Sequence, residues 1–501
     1  LKNKRKEFKS QIEKARKEGS ITAGTFGKAI DIVQHFFKEQ IFKDASPQGF
    51  EHMFNFIDAL LSKCWLIEIP LKQHSESIQI FESLNNRGKS LTLVDKLRYK
   101  SIVATSKENL NVIRNKWKTV YSALNFLNDE KYFKNEDDFF KVFFNSIRGD
   151  DFTREGQFME IFSEIFLKSD KTINRFLDET IQIANFYRIL STSLNLKNEF
   201  ITENFDKKEH QKVSALLQLV KKMLNISDNS RFVFFYILRE FKSYSVDKHM
   251  IVQSLWSLVR RVFYFEIAKN QDSNKMRTAY LDYIKKLNNK ESYITESKPL
   301  TDSFDFNGAL YNIIRTTSNP EAIFILYLYA YLNDFEVLTA HNPKQYKYEQ
   351  LEHFIPTAWK NNWSDSIHTR TQAINFIKSL STDSPELFKH LDPELFMNLI
   401  KNSENFELLD YKSKAKRNED CIIEYLGNKW ILHSGTNARA NNGNFNQKKS
   451  LYQDDKWIKI PSNNDTCGIN SYDTLTYQEV IIRSLKLSNG IIDNIKNQWD
   501  N

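Results

Sequence analysis

A chain of 501 residues is too long for one ordinary hydrophobic core, so two or three domains are expected. Its 39 Phe and 21 Tyr, within a 41% hydrophobic composition, suffice to fill those cores, while 13 Gly and 9 Pro are too few for turn-dense sandwiches or barrels, which leaves a mainly α (α+β) class. With 71 Lys and Arg against 63 Asp and Glu the net charge is +8, a mild excess of the sign that suits a nucleic-acid partner.

Residues 4 to 61 show helical spacing, with Ile30, Val33, Phe36 and Phe37 in one segment and Phe50, Phe54, Ile57 and Leu60 in the next. Cys64 to Pro70 reads as a strand. Ser75 starts a helix with Ile78, Phe81 and Leu84 on one face, and Asn85-Asn86-Arg87-Gly88 ends it, the glycine permitting a left-handed cap. Thr92 to Asp95 looks like a capping box with aspartate in place of glutamate, opening a helix toward Val103. Asn85, Arg87, Gly88 and Asp95 therefore shape either a ligand or switch surface or simply a tied helical turn.

Residues 106 to 300 give long amphipathic helices, for example Val112 to Leu127 and Ser214 to Phe241, without a glycine-rich phosphate loop or a serine-histidine arrangement. They read as a helical connector. The apolar run Ala322 to Leu332, only 11 residues, predicts a buried helix and is too short for a membrane span. Cys64, Cys421 and Cys467 are odd in number and far apart, so no disulfide framework or zinc site is readable and a reducing cytoplasm is expected. The chain starts at Leu1, which leads us to expect an upstream part.

The stretch Tyr348 to Trp363 sets Glu352 beside His353 on a short apolar run that Pro356 stops. Asp365 to Asn402 supplies two helices. From Leu426 onward the sequence reads as a strand, a turn and a short polar helix carrying Asn437, and Tyr477 to Trp499 is a closing helix. Because Asn437 lies 437 − 353 = 84 residues past His353, an insertion must separate the two strands. Basic residues gather at Lys2 to Lys6, at Lys412, Lys414, Lys416 and Arg417, and at Arg439, Lys448 and Lys449, the last two groups near this region in sequence and suited to phosphate.

At Glu352-His353-x-x-Pro356, Leu426-Gly427-Asn428-x-x-Ile431-Leu432, Asn437, Phe445 and Lys448 the chain resembles the His-Me finger (HNH-like) nucleases. Among these it is similar to the nuclease domain of the GmrSD-type modification-dependent restriction endonucleases. Ile80 to Leu97 resembles the closing motif of the same family's sensor module, and the terminal segment has its Ile-x-Arg and final Trp. The resemblance implies a helical multidomain protein with a small ββα-metal motif near its C-terminus: residues 1–105 the end of a sensor module, 106–300 the connector, 301–501 the nuclease domain.

Hydrolysing a phosphodiester needs an activated water, a cation on the non-bridging oxygen and help for the leaving oxygen. Histidine suits the first task, since its ordinary pKa of about 6.5 leaves it largely neutral yet basic near pH 7. Carboxylate and amide oxygens suit Mg²⁺ or Mn²⁺. The resemblance accordingly implies His353 as general base, Asn428 as the group that orients it, Glu352 and Asn437 as metal ligands, and Arg439, Lys448 and Lys449 as DNA contacts. Glu352 stands where HNH domains commonly have aspartate. The implied partner is DNA, modified phage DNA in particular, with a homo-oligomer or a defence-system partner left open. The family's sensor also uses an Asp-Gly-Gln-Gln-Arg motif associated with NTP; these 501 residues lack it, so any NTP would enter through an upstream module. A non-catalytic DNA-binding protein with a degenerate finger, and a ribonuclease or toxin, are the alternative readings.

Overall fold

The computed structural model describes residues 91–193, 198–241, 248–290, 306–315, 318–339, 349–355, 370–402, 425–440, 443–452 and 475–497, with Glu51, Asn55 and Asp58. Two compact units, Leu1–Asn85 and Asn86–Asn501, divide the chain, and everything described beyond those three helical residues belongs to the second. The strand expected at Cys64 to Pro70, the turn of Asn85, Arg87 and Gly88, the three cysteines, Pro356 and the basic groups at 2–6 and 412–417 lie outside the described residues.

Local signals start the first helices where the sequence places them. Thr92 caps α1 (Leu93–Ala104), its hydroxyl accepting from Asp95 N at 3.2 Å while the Asp95 carboxylate accepts from Thr92 N, so Asp95 serves the cap. In α2 (Leu110–Asp129), Ile113, Trp117, Val120, Leu124 and Leu127 recur on one face and all are buried. Asn135 caps α3 (Glu136–Arg148), which Gly149 ends at a φ of 74°. α3, α4 (Glu155–Ile165) and α5 (Asp170–Ser191) account for many of the phenylalanines. Phe176 is ringed by Phe162, Phe166, Phe143, Phe140 and Phe144 at centroid distances of 4.9, 5.2, 5.4, 5.8 and 6.2 Å. Such pairs add ~0.5–1.5 kcal/mol each beyond the area they bury.

After α6 (Glu199–Asn204), the helix expected from Ser214 to Phe241 is two helices, α7 (Glu209–Ile226) and α8 (Ser230–Glu240). Ser227-Asp228-Asn229 breaks it: Ser227 turns extended, and its hydroxyl accepts from Ser230 N at 3.1 Å and donates to Glu266. Glu266 belongs to a π-helical segment, Phe263–Ala268, between α9 (Lys248–Val262) and α10 (Ser273–Asn288). Burial raises the pKa of its carboxyl, against the opposing hydrogen bonds from Ser227 and Tyr280.

α11 (Phe306–Ile314) and α12 (Asn319–Thr339) follow, and the expected Ala322 to Leu332 segment lies inside α12. α12 runs beside α7, with Gln218 Nε2 donating to Leu338 O at 3.0 Å and Lys222 Nζ 4.6 Å above the Tyr327 ring. One hydrophobic core extends from Leu93 to Ile495, so residue 300, expected as a domain boundary, falls inside the second unit. Among the described residues no helix is long and apolar enough to cross a membrane.

The described strands form one antiparallel pair, β1 (Glu349–His353) and β2 (Lys429–His433), in register from Glu349 opposite His433 to His353 opposite Lys429. α13 (Arg370–Asp383) and α14 (Pro393–Asn402) lie in the expected insertion between them. α15 (Ser434–Ala440) follows β2 directly, then α16 (Phe445–Tyr452) and α17 (Tyr477–Asn497). β2 begins at Lys429 rather than Leu426, because Leu426–Asn428 forms a 3₁₀ turn pressed onto α17, with Gly427 N donating to Ser484 Oγ at 2.9 Å.

A Cβ on Gly427 would overlap the Val480 carbonyl oxygen and lie 2.7 Å from Ser484 N. Gly427→Ala is therefore expected to destabilise the fold by ~1–3 kcal/mol, the cost of overpacking. Gly156→Ala, where a Cβ meets nothing within 4 Å, should be neutral or slightly stabilising. Equal urea midpoints for the two variants would show that the turn does not pack on α17 as described.

Candidate functional site

Alternation along β1 sends Gln350 and Glu352 to one face and Leu351 and His353 to the other. The two helices after β2 cover the first face. Asn437 of α15, partly exposed, donates from Nδ2 to Gln350 Oε1 at 3.2 Å. On α16, Lys448 and Tyr452 are one helical turn apart and both reach Glu352 Oε1, the ammonium at 2.5 Å and the phenol at 2.8 Å. Lys448 also donates to the main-chain oxygen of His353 at 3.0 Å.

This cluster lies in the interior: Glu352 is 5% exposed and Lys448 1%. Burial lowers the Lys448 pKa, and the adjacent carboxylate pulls it back upward. Lys448 thus departs from the expected phosphate contact, since a DNA backbone cannot reach an ammonium buried against Glu352. The sequence did carry a signal for the arrangement, a lysine and a tyrosine at four-residue spacing on a polar helix, but their common acceptor is about a hundred residues away and periodicity does not name it.

His353, partly exposed, is the last residue of β1. Asn428, expected to orient it, is fully buried and spends its amide on the main chain of Ile355: Oδ1 accepts from Ile355 N at 2.7 Å and Nδ2 donates to Ile355 O at 2.9 Å. Its own carbonyl accepts from Phe354 N at 3.0 Å. Asn428 therefore prolongs the ladder two residues past His353 and fixes the path of the chain there, one peptide-like group standing in for the next pair of strand hydrogen bonds.

A residue not singled out as functional completes the framework. The Arg483 guanidinium, fully buried, lies 4.6 Å from the Trp430 ring and 4.9 Å from the Phe354 ring, and donates to the carbonyls of Gly427 and Lys429. It ties the exit of β1 and the start of β2 to α17. Of the remaining expected DNA contacts, Arg439 is exposed, with Nε donating to Gly435 O at 3.4 Å, and Lys449 is partly exposed above the Phe445 ring.

Glu352 does not fit the role of metal ligand in this arrangement. Its carboxylate is buried, and one oxygen already takes a cation and a hydroxyl, so its charge is matched from within the protein. Among the described residues no group of three or more His, Cys, Asp and Glu side chains is placed to hold a metal ion. Asn437 meets β1 at Gln350, on the face that alternation turns away from His353, so these two expected site residues do not share a face of the strand. No family model, curated protein or solved structure matches the chain.

Proposed function

We propose that this chain is a metal-dependent endonuclease acting on DNA in bacterial defence against phage, with His353 taking the proton from the attacking water. The observation that supports the reading is the arrangement around His353. The histidine ends a strand that pairs with a second strand from beyond a helical insertion, and a short helix follows that second strand and packs against the pair. Lys448 holds the His353 carbonyl, Asn428 holds the main chain of Ile355 and Arg483 lies over the Phe354 ring, which gives this stretch the rigidity a positioned base requires. Arg439, exposed on that same short helix, is the phosphate contact of this reading. Mg²⁺ or Mn²⁺ is its expected cation, and Glu352 is not counted among the ligands.

The pairing of Glu352 with Lys448 favours a second reading, a DNA-binding protein without catalysis, because a carboxylate that a nuclease would turn toward a cation is used for packing. One experiment separates them. The intact chain is incubated with unmodified duplex DNA, base-modified duplex DNA and single-stranded RNA, each with Mg²⁺, with Mn²⁺ and with EDTA. Cation-dependent cutting of DNA supports the nuclease, and preference for the modified duplex supports a restriction role. Binding without cutting under every condition supports the non-catalytic reading, and cutting of RNA alone would make the protein a ribonuclease.

A further inference from the structure

On the helical part of the second unit, far in sequence from His353, the loop between α2 and α3 and the start of α8 enclose an open cleft of about 790 Å³. Its volume is that of a small-molecule site. Five cationic side chains and two carboxylates line it. Three of the cations are matched: Lys141 lies 3.2 Å from Asp138, Arg231 lies 3.0 Å from Asp228, and Arg277 forks onto Asp151, just outside the lining, at 2.7 and 2.5 Å. The side chains of Lys131 and Lys134 are exposed at the cleft and have no ion-pair or hydrogen-bond partner among the described residues.

Two further features favour a ligand. Lys131 holds a left-handed backbone, φ 60°, at the end of α2, where glycine or asparagine is the unstrained choice, and this carries a lysine at the cleft. Nε of Arg231 is shielded from solvent with no hydrogen-bond partner, while the guanidinium stacks 5.2 Å from the Phe133 ring. The cleft therefore combines two unmatched positive charges with an aromatic lining, of which Phe152 is partly exposed.

We propose that this cleft binds a small phosphate monoester with a ring-bearing body. A monoester carries −1.5 to −2 charges near pH 7, which matches two unpaired ammonium groups, whereas a carboxylate would leave one of them unmatched. Phe152, the partly exposed ring of the lining, supplies the apolar contact for the organic part. The proposal is independent of the nuclease reading, since no residue near His353 enters it.

Titration calorimetry of the intact chain with phenyl phosphate, inorganic phosphate and benzoate tests it. Phenyl phosphate is expected to bind saturably and more tightly than either of the others. The double variant Lys131→Gln/Lys134→Gln should weaken that binding at least tenfold with an unchanged melting temperature, because both side chains are exposed and support no other contact. Absence of saturable binding up to ligand concentrations on the order of 10 mM, or binding unaltered in the double variant, overturns the proposal. So does a short DNA duplex that displaces phenyl phosphate and itself depends on the two lysines, since the cleft would then be a nucleic-acid contact.

Discussion

Replacing His353 by alanine is expected to lower the rate of DNA cleavage by ~10²–10⁴-fold, the contribution of a positioned general base, which corresponds to about 3–5 kcal/mol of transition-state stabilisation. The fold should survive, because the hydrogen bonds that hold this part of β1 are made by main-chain atoms. The ladder to Lys429, the Lys448 bond to the His353 carbonyl and the Asn428 clamp on Ile355 all remain when the imidazole is removed. The effect should appear in kcat with DNA affinity nearly unchanged, since the lost group acts on the chemical step. Single-turnover cleavage beside a binding isotherm and a melting curve checks this. A variant that still cuts at the parent rate would place the chemistry elsewhere on the chain.

Lys448→Ala is expected to destabilise the protein by ~3–5 kcal/mol, the cost of leaving one member of a buried ion pair without its partner. The carboxylate of Glu352 would stay in the interior with the Tyr452 hydroxyl as its remaining donor among the described residues, and the His353 carbonyl would lose the ammonium too. Glu352→Gln/Lys448→Met should recover stability to within ~1–2 kcal/mol of the parent, because a glutamine oxygen still accepts from Tyr452 and neither charge of the pair is left buried without the other. Urea unfolding of the two single variants and the double variant completes the cycle. A Lys448→Ala protein as stable as the parent would contradict the buried pair. The same double variant bears on function: if Glu352 only packs, cleavage returns with the fold, and if a carboxylate oxygen is needed in the chemistry, the refolded double variant stays inactive. The pair also sets a sign for pH dependence. The Lys448 pKa is lowered on folding, so the folded protein releases that proton before the unfolded chain does, and this group's contribution makes stability rise with pH just below the ordinary lysine value of 10.5.

Local chemistry was legible from the chain alone. The Thr92 and Asp95 cap, the buried face of α2 from Ile113 to Leu127, the apolar α12, the insertion helices, and the order of strand, strand and helix around Glu352 and Asn437 all rest on short-range propensity and spacing, which act within a few residues and so can be read in a line. Tertiary structure alone decided the rest. The break at Ser227 is set in part by its bond to Glu266, and the use of Asn428 on Ile355 and the lodging of Arg483 against Phe354 and Trp430 likewise rest on contacts between segments distant in sequence. Glu352 looked like a metal ligand because its neighbours in sequence suggest one, but its environment is set by Lys448 and Tyr452. Whether a carboxylate meets an ion, water or a lysine depends on which distant segment folds over it, and the alternation and helical spacing that reveal a face do not say what will cover that face.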